Sequence, residues 1–525
     1  MKFNLWRAAL GIAFSLSLGA AVPASALAAP QAAAQPERGG TLNIAYPANP
    51  ATLDPHLTTN QATRDVSRNI YEQLLTLDDK YQVVPELAES FKISDDGLTY
   101  TFVLRKGIRF HNGQPLTAED VVASMEKWLK TSTQGKANLQ GAKFSKVDDA
   151  TVRMTLERPS LLGPNILADT APFPGIMPKS VIDAAGGKGI AEYIGTGPYK
   201  LKEWRPDQYV LLTRFDGYAS RTEPSSGLAG AKHAWLDNIY FRYVTDESTR
   251  LAGIITGEYD LAFGLPLDNA AQIDATDGVS NYFASGGTIT YVFNKAQGPF
   301  ANLKLRQAFN EALDYNAALV ATYSDPRFFE LDPSLSLPSQ AQWHTTAGKP
   351  YYNRHDLDAA RKLVKESGYK GEEVVILTTR DYPEHFSFAV VAQQTLKSIG
   401  VKSRLDVYDW ATLQERRRDP KNFDIFAMTF AVRPTINQNP YLASSAKYAG
   451  LSNSPEIDRS LAEITAAPSL AAARPLIERL EKEVWEYLPV VKVGNIQQLY
   501  AVRDNVQGLD DLIGPVLWNI HLAKK

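Results

Sequence analysis

Residues 85–125 constrain the fold of this chain more than any other stretch; they read PELAESFKISDDGLTYTFVLRKGIRFHNGQPLTAEDVVASM. Within them, residues 98–104 (LTYTFVL) alternate with β-branched and aromatic side chains, the pattern of a half-buried strand. Asp95-Asp96-Gly97 before it and His111-Asn112-Gly113 after it are turn signals, because Asn and Gly tolerate positive φ. Thr117 followed by Glu119-Asp120 predicts a helix start, with a hydroxyl cap and acids at the positive end of the helix dipole. Strand, turn, strand, turn and capped helix within one short block predict an α/β fold.

The first 28 residues have the three parts of a secretory signal. Lys2 and Arg7 supply the positive start, residues 8–21 are an apolar run, and Ala26 and Ala28 each close a small-residue cleavage site. That run is too short to span a membrane comfortably, and Pro23 breaks it. The rest of the chain predicts an exported, soluble product. The 525 residues contain no cysteine, which removes disulfides, thiolate metal sites, cysteine nucleophiles and a lipid-anchor cysteine together. A formal net charge of −3 without a basic cluster argues against nucleic acid and anionic membrane as partners. The one basic run, Arg416-Arg417-Arg418, reads as a solvated helix end.

After an Ala/Gln/Pro linker at 29–39, residues 41–46 read as a strand. Residues 63–77 read as a helix with Val66, Ile70, Leu74 and Leu77 on one face. Residues 303–313 and 357–367 are amphipathic, with Gly368 where a helix stop belongs. Residues 374–377 and 403–407 read as strands separated by a helix at 388–399, a βαβ pattern that predicts a parallel pair. A further helix is predicted over 471–487, and residues 490–502 lead back across the molecule.

No enzyme pattern emerges. The seven histidines form no HExxH or other close ligand pair, so no metal site and no cofactor are predicted. A G-x-S-x-G elbow is absent, and Gly186-Gly187-Lys188-Gly189 lacks the spacing of a phosphate loop. His111 is expected to bond to backbone in its turn. His56 is open to a ligand contact, with a structural role the simpler reading.

The 85–125 block resembles the family 5 extracytoplasmic solute-binding proteins, the peptide and nickel group that feeds ABC importers. Further words fit in the family's order: Leu53-Asp54-Pro55-His56, Tyr71-Glu72-Gln73-Leu74-Leu75, Gly195-Thr196-Gly197-Pro198-Tyr199, residues 250–260 (RLAGIITGEYD), Tyr291-Val292-Phe293-Asn294 and Leu305-Arg306-Gln307-Ala308-Phe309. The resemblance implies a two-lobed periplasmic binding protein fold, type II-like and of the large cluster C kind, with an extra domain inserted in the first lobe. Mapped onto this chain, domain I comprises 40–80, 195–294 and 491–525; the insertion, domain II, is 81–194; the second lobe, domain III, is 295–490. Hinge strands fall at Tyr291, Asn294 and Val491. It further implies a periplasmic monomer without catalytic residues that captures a small-molecule or peptide solute and hands it to ABC permease subunits driven by a cytoplasmic ATPase. Nickel-chelate, opine or sugar-phosphate binding is the alternative within the family, and an exported hydrolase the alternative outside it.

The resemblance places the ligand at Thr59, Asn60 and Gln61, at Tyr408 and Trp410, and at Phe430, Ala431, Val432 and Arg433. Gly195 to Pro198 is either cleft floor or a strand-orienting turn. Peptide-binding members carry Gly-Trp-x-x-Asp where this chain has Thr429-Phe430-Ala431-Val432-Arg433, and their aspartate accepts the ligand's α-ammonium. Anchoring on Pro440 instead places Ile436 there, again without an acid. Arginine in a partly desolvated cleft requires an anion. That anion is either a ligand group or an internal acid, with Asp409 and Asp424 the candidates.

Overall fold

The computed structural model describes residues 36–523; the expected signal, its cleavage sites and the linker up to residue 35 lie outside the described residues. Among the described residues, eleven strands make one sheet: ten in a row, and the short Phe329–Glu330, which pairs with Val490–Arg503. One end consists of Leu261–Leu265, Thr41–Tyr46, Asn238–Tyr243, Tyr209–Arg214 and Tyr199–Arg205; the other consists of Ile425–Phe430, Val374–Thr378 and Ser403–Val407. Two long strands, Val279–Phe293 and Val490–Arg503, lie between these groups and pair antiparallel with each other. Their outer halves belong to different groups: Val490–Arg503 pairs with Leu261–Leu265 near residue 501, whereas Val279–Phe293 pairs with Ile425–Phe430 from Thr288 onward.

The ribbon is irregular at its middle. Register shifts fall between Ser285 and Gly287 and between Ile289 and Thr290. Gly287 has φ +102°, and a Cβ there would sit 2.1 Å from the Phe430 carbonyl oxygen. Only glycine lets the strand turn there against the neighbouring backbone. Tyr291, Asn294 and Val491, the expected hinge residues, lie beyond this irregularity. Tyr291 and Val491 are partners in the regular ladder, and the Asn294 amide donates to the Pro420 and Phe423 carbonyls.

The 85–125 block builds a separate four-stranded antiparallel sheet, in the order Ala88–Ile93, Thr99–Leu104, Thr151–Thr155, Lys143–Asp148. Helix Ala118–Thr131 starts at Thr117, whose backbone N–H and hydroxyl both donate to the Asp120 carboxylate. It buries Val121, Ser124, Met125 and Trp128 along one helical stripe. The predicted βαβ unit is present: Val374–Thr378 and Ser403–Val407 pair in parallel around helix Pro383–Ser398.

The helix expected over 63–77 is corrected. It spans Gln61–Ser67 only, and Leu75–Leu77 is a strand paired with Val83–Pro85. Tertiary bonds replace the helical ones. The Arg68 guanidinium donates to the carbonyls of Leu512, Ile513, Gly514 and Pro515, and the Ile70 carbonyl accepts from Gly197 N–H. Every residue from Asp65 to Leu77 is buried, so apolar spacing there carries no face information. Among the described residues, no helix is long and apolar enough to cross a membrane.

Candidate functional site

Trp410 opens helix Trp410–Arg416, and the Asp409 cap fixes its start by accepting from Thr412 N–H and hydroxyl. The Trp410 N–H donates to Asp381 at 2.7 Å, and its ring lies 4.5 Å from Tyr382 and 5.7 Å from His385. His385 Nε2 is 3.5 Å from the Thr429 hydroxyl, so Trp410 and the segment at 429–433 share one aromatic wall. His385 is held neutral, its pKa lowered to about 4 by burial and then by the Arg417 charge. Tyr408 is half-buried beneath the Arg416 guanidinium at 4.5 Å. Phe430 packs edge-on against Tyr441 and beside Tyr448, whose hydroxyl accepts from Arg417 at 2.7 Å.

Beyond Phe430 the wall opens: Ala431 is exposed, and Val432 and Arg433 are half-buried. Gln340 Nε2 donates to the carbonyls of Arg433 and Pro434 at 2.7 and 3.3 Å, fixing this backbone. Neither acid proposed for Arg433 pairs with it. Asp409 is the helix cap just described, and Asp424 accepts from Val375 N–H at 2.7 Å. The acid that feels the Arg433 charge is Asp169, buried at 2 % exposure. Burial pushes its pKa up to about 6, while the Ala171 N–H and the Arg433 charge pull it down. Among the described residues, no carboxylate approaches the Arg433 guanidinium within 4 Å.

Across the ribbon lie Thr59, Asn60 and Gln61, all exposed. Asn60 caps helix Gln61–Ser67 by accepting from Ala62 and Thr63 N–H. With Tyr46, Asp65, Phe263, Gln498 and Tyr500, Asn60 and Gln61 line a cavity of about 180 Å³. Gln498 donates to the Ser285 carbonyl, and Gly287 abuts Phe430, so the two groups of expected ligand residues flank the same irregular ribbon.

Two other expectations resolve as structure. His56 is fully buried with Nε2 2.8 Å from the Gly175 carbonyl. With its proton on Nε2, His111 donates to the Gly197 carbonyl and accepts from Gly195 N–H, so the Gly195 to Pro198 turn locks the insertion to the first sheet. Asp169, Gln340, Gln438, Tyr382 and His385 were not singled out from sequence; each becomes a neighbour of the site only through long-range pairing. Among the described residues, no three His, Asp or Glu side chains converge as a metal-ligand set.

Residues 82–450 match the bacterial extracellular solute-binding proteins, family 5 Middle. The chain is 29 % identical to a probable peptide ABC transporter periplasmic-binding protein, y4tO, of Sinorhizobium fredii, over 97 % of this chain and 98 % of the other. It is 33 % identical to the glutathione-binding protein GsiB of Salmonella choleraesuis, over 77 % of this chain and 73 % of the other. In shape it matches the periplasmic binding protein AgaA of A. tumefaciens R10, solved with agropinic acid, at TM-score 0.75, 24 % identity and coverage of 93 % and 99 %. The two groups of strands joined by a paired ribbon are thus the lobes of a two-lobed periplasmic binding protein fold. The chain belongs to the bacterial extracellular solute-binding proteins of family 5, binding components of transport and not enzymes.

Proposed function

We propose that this protein is the periplasmic receptor of an ABC importer for a peptide or peptide-like solute whose anionic group is held by Arg433. The observation that carries the anion is the half-buried Arg433 guanidinium, with no carboxylate in ion-pair range among the described residues, on a backbone fixed by Gln340. A guanidinium in such a place gains most from a carboxylate or phosphate that meets its planar fork. The related proteins named for peptide, glutathione and agropinic acid support a peptide-like or acidic solute. Trp410, Tyr382 and Tyr408 supply the aromatic surface that such a cleft needs.

In this reading the protein works as a monomer released by cleavage near Ala26 or Ala28, with the domain divisions given above. The lobes flex where the ribbon is irregular, at Ser285 to Gly287, and solute favours the closed form because it touches both lobes. The closed form then docks on the permease. The test is a thermal-shift screen against peptides, opine-like acids, sugar phosphates and nickel chelates, followed by tryptophan-fluorescence titration of Arg433→Ala. A ligand found in the screen should bind Arg433→Ala at least tenfold more weakly; unchanged affinity refutes the anion reading.

A further inference from the structure

The inserted part of the chain is fastened to the first lobe and touches the second. Arg221 donates to the Glu86 and Ala88 carbonyls at 2.9 and 3.1 Å, and Arg105 donates to the Ala219 carbonyl at 2.7 Å. With the His111 bonds described above, these tie the insertion to the first lobe. Among the described residues, three hydrogen bonds join it to the second lobe, none of them in the paired ribbon. Leu161 N–H donates to the Thr465 carbonyl at 2.8 Å, Gln342 Nε2 to the Tyr81 carbonyl at 2.9 Å, and Gln438 Nε2 to the Asp169 carboxylate at 3.2 Å.

Both sides of this seam are prepared for it. Thr465 lies in the last turn of helix Pro455–Ala466, so its carbonyl has no partner within the helix. Asn437 Nδ2 donates to the Leu461 carbonyl and the Thr465 hydroxyl, which couples that helix end to the segment bearing Gln438. On the other side the Tyr100 hydroxyl donates to the Ser160 carbonyl at 2.9 Å, beside Leu161. The seam is nevertheless easy to part. All three donors are uncharged, and among the described residues no ion pair joins the insertion to the second lobe. Water replaces such bonds at small net cost. A cavity of about 860 Å³ lies beside them, lined by Phe91, Ile93 and Leu161 of the insertion and by Ala466 and Leu470 of the second lobe. Those five side chains are already exposed or half-buried, so parting the lobes uncovers little further apolar surface.

We propose that this seam is a latch: neutral hydrogen bonds between the insertion and the second lobe hold the lobes together in the ligand-free protein and set how much of it is already closed. None of the three bonds is made by an expected ligand residue. A closed form populated in advance raises the apparent affinity for any solute that binds it, because affinity scales with the competent fraction. The strength of the latch therefore tunes affinity for every solute by one common factor, whatever group Arg433 receives. Weak, replaceable bonds suit this task, since a latch that cannot let go would trap the solute.

The test needs no ligand. The chain has no cysteine, so nitroxide labels can be carried by Ser145→Cys on the insertion and Arg459→Cys on the second lobe, both exposed positions. The distance between them is read by double electron–electron resonance. The labelled parent should show a major short-distance population. Gln342→Ala should lower the ratio of short to long population about fivefold, the worth of one neutral bond. Leu161→Asp sets a negative charge against the C-terminal end of helix Pro455–Ala466 and should lower it by about tenfold. Gln307→Ala removes a similar bond inside the second lobe, to the Glu486 carbonyl, and should leave the ratio unchanged. Circular dichroism and Tm show that each variant is folded. A parent without the short population, an unchanged ratio in either latch variant, or an equal shift in Gln307→Ala overturns the latch. Each of these results leaves the reading of Arg433 standing, since no solute is present.

Discussion

Two buried acids of this protein are treated in opposite ways. Asp54, in the turn after the first strand, is fully buried and takes both hydrogen bonds from Lys127, with further N–H donors from His56 and Ile190. Asp169 is as deeply buried, yet its carboxylate takes neutral donors while an arginine stands close by. Elsewhere in the first lobe the rule follows Asp54: Asp65 pairs with Arg64, and Lys232 pairs with Glu86 and Glu72 over the Trp518 ring. The pairing is not universal: Glu481 is fully buried on the neutral donors Ser334, Thr345 and Leu335, and the buried cations Arg68, Lys295 and Arg306 donate to backbone carbonyls. The contrast teaches that burial alone does not decide whether a charge receives a counter-charge.

The comparison is broken most severely at Asp54. Lys127→Met leaves a buried carboxylate without its cation and should cost about 3–5 kcal/mol, measured as a loss of stability in urea unfolding. A cost below about 1 kcal/mol would mean that Asp54 is not held as described.

Asp169→Asn should act in the other direction in the ligand-free protein. Burial pushes its folded-state pKa up to about 6, from an ordinary aspartate value of 3.8. The native state therefore holds this proton more firmly, and the associated stability is complete below pH ~4 and lost as pH rises through about 6. Relative to wild type, Asp169→Asn should gain about 2–3 kcal/mol between pH 4 and pH 7, from a shift of roughly two units. The buried neutral histidines His56, His111 and His385 trend oppositely, since their lowered pKa values remove stability as pH falls below ~6.5. They are common to both proteins, so the difference between wild type and variant isolates Asp169. Parallel pH profiles would sink the assignment.

Arg433→Ala should change ligand-free Tm by no more than a degree or so, because no ion pair is lost, while weakening ligand at least tenfold. A large drop in ligand-free Tm would mean that the guanidinium has an internal partner after all. At the far end of the scale is Lys146, whose ion pairs with Glu119 and Asp149 lie on the surface. Lys146→Ala should leave the urea midpoint unmoved, since solvent screens such pairs.

Much of the fold was legible because local signals and tertiary structure agreed. The Thr117 start, the parallel pair at 374–407 and the long helix Leu470–Tyr487 combine strong periodicity with clear caps or turns. Residues 63–77 were misread because apolar side chains buried on all sides have no face, and because bonds from Gly197 and to residues 512–515 end the helix early. At the site, Arg433 could be singled out because its charge type is unusual for the segment. Its neighbour Asp169 could not be, since 264 positions of chain separate it from Arg433 and a Gln438 contact brings the segments together. The crossing strands show the same division: they had a sequence signature, but the irregularity in them is set by how Gly287 meets Phe430.

The paired ribbon has one more consequence. Val279–Phe293 and Val490–Arg503 are laddered to each other on both sides of the break at Ser285 and Gly287. In the hinge proposed above, bending at that break would swing a whole lobe while the rungs above and below stay made. Capture and release by such a hinge would repeat without any segment melting and re-forming, and backbone amides flanking the break should then resist exchange with deuterium as stubbornly as those deep in either lobe.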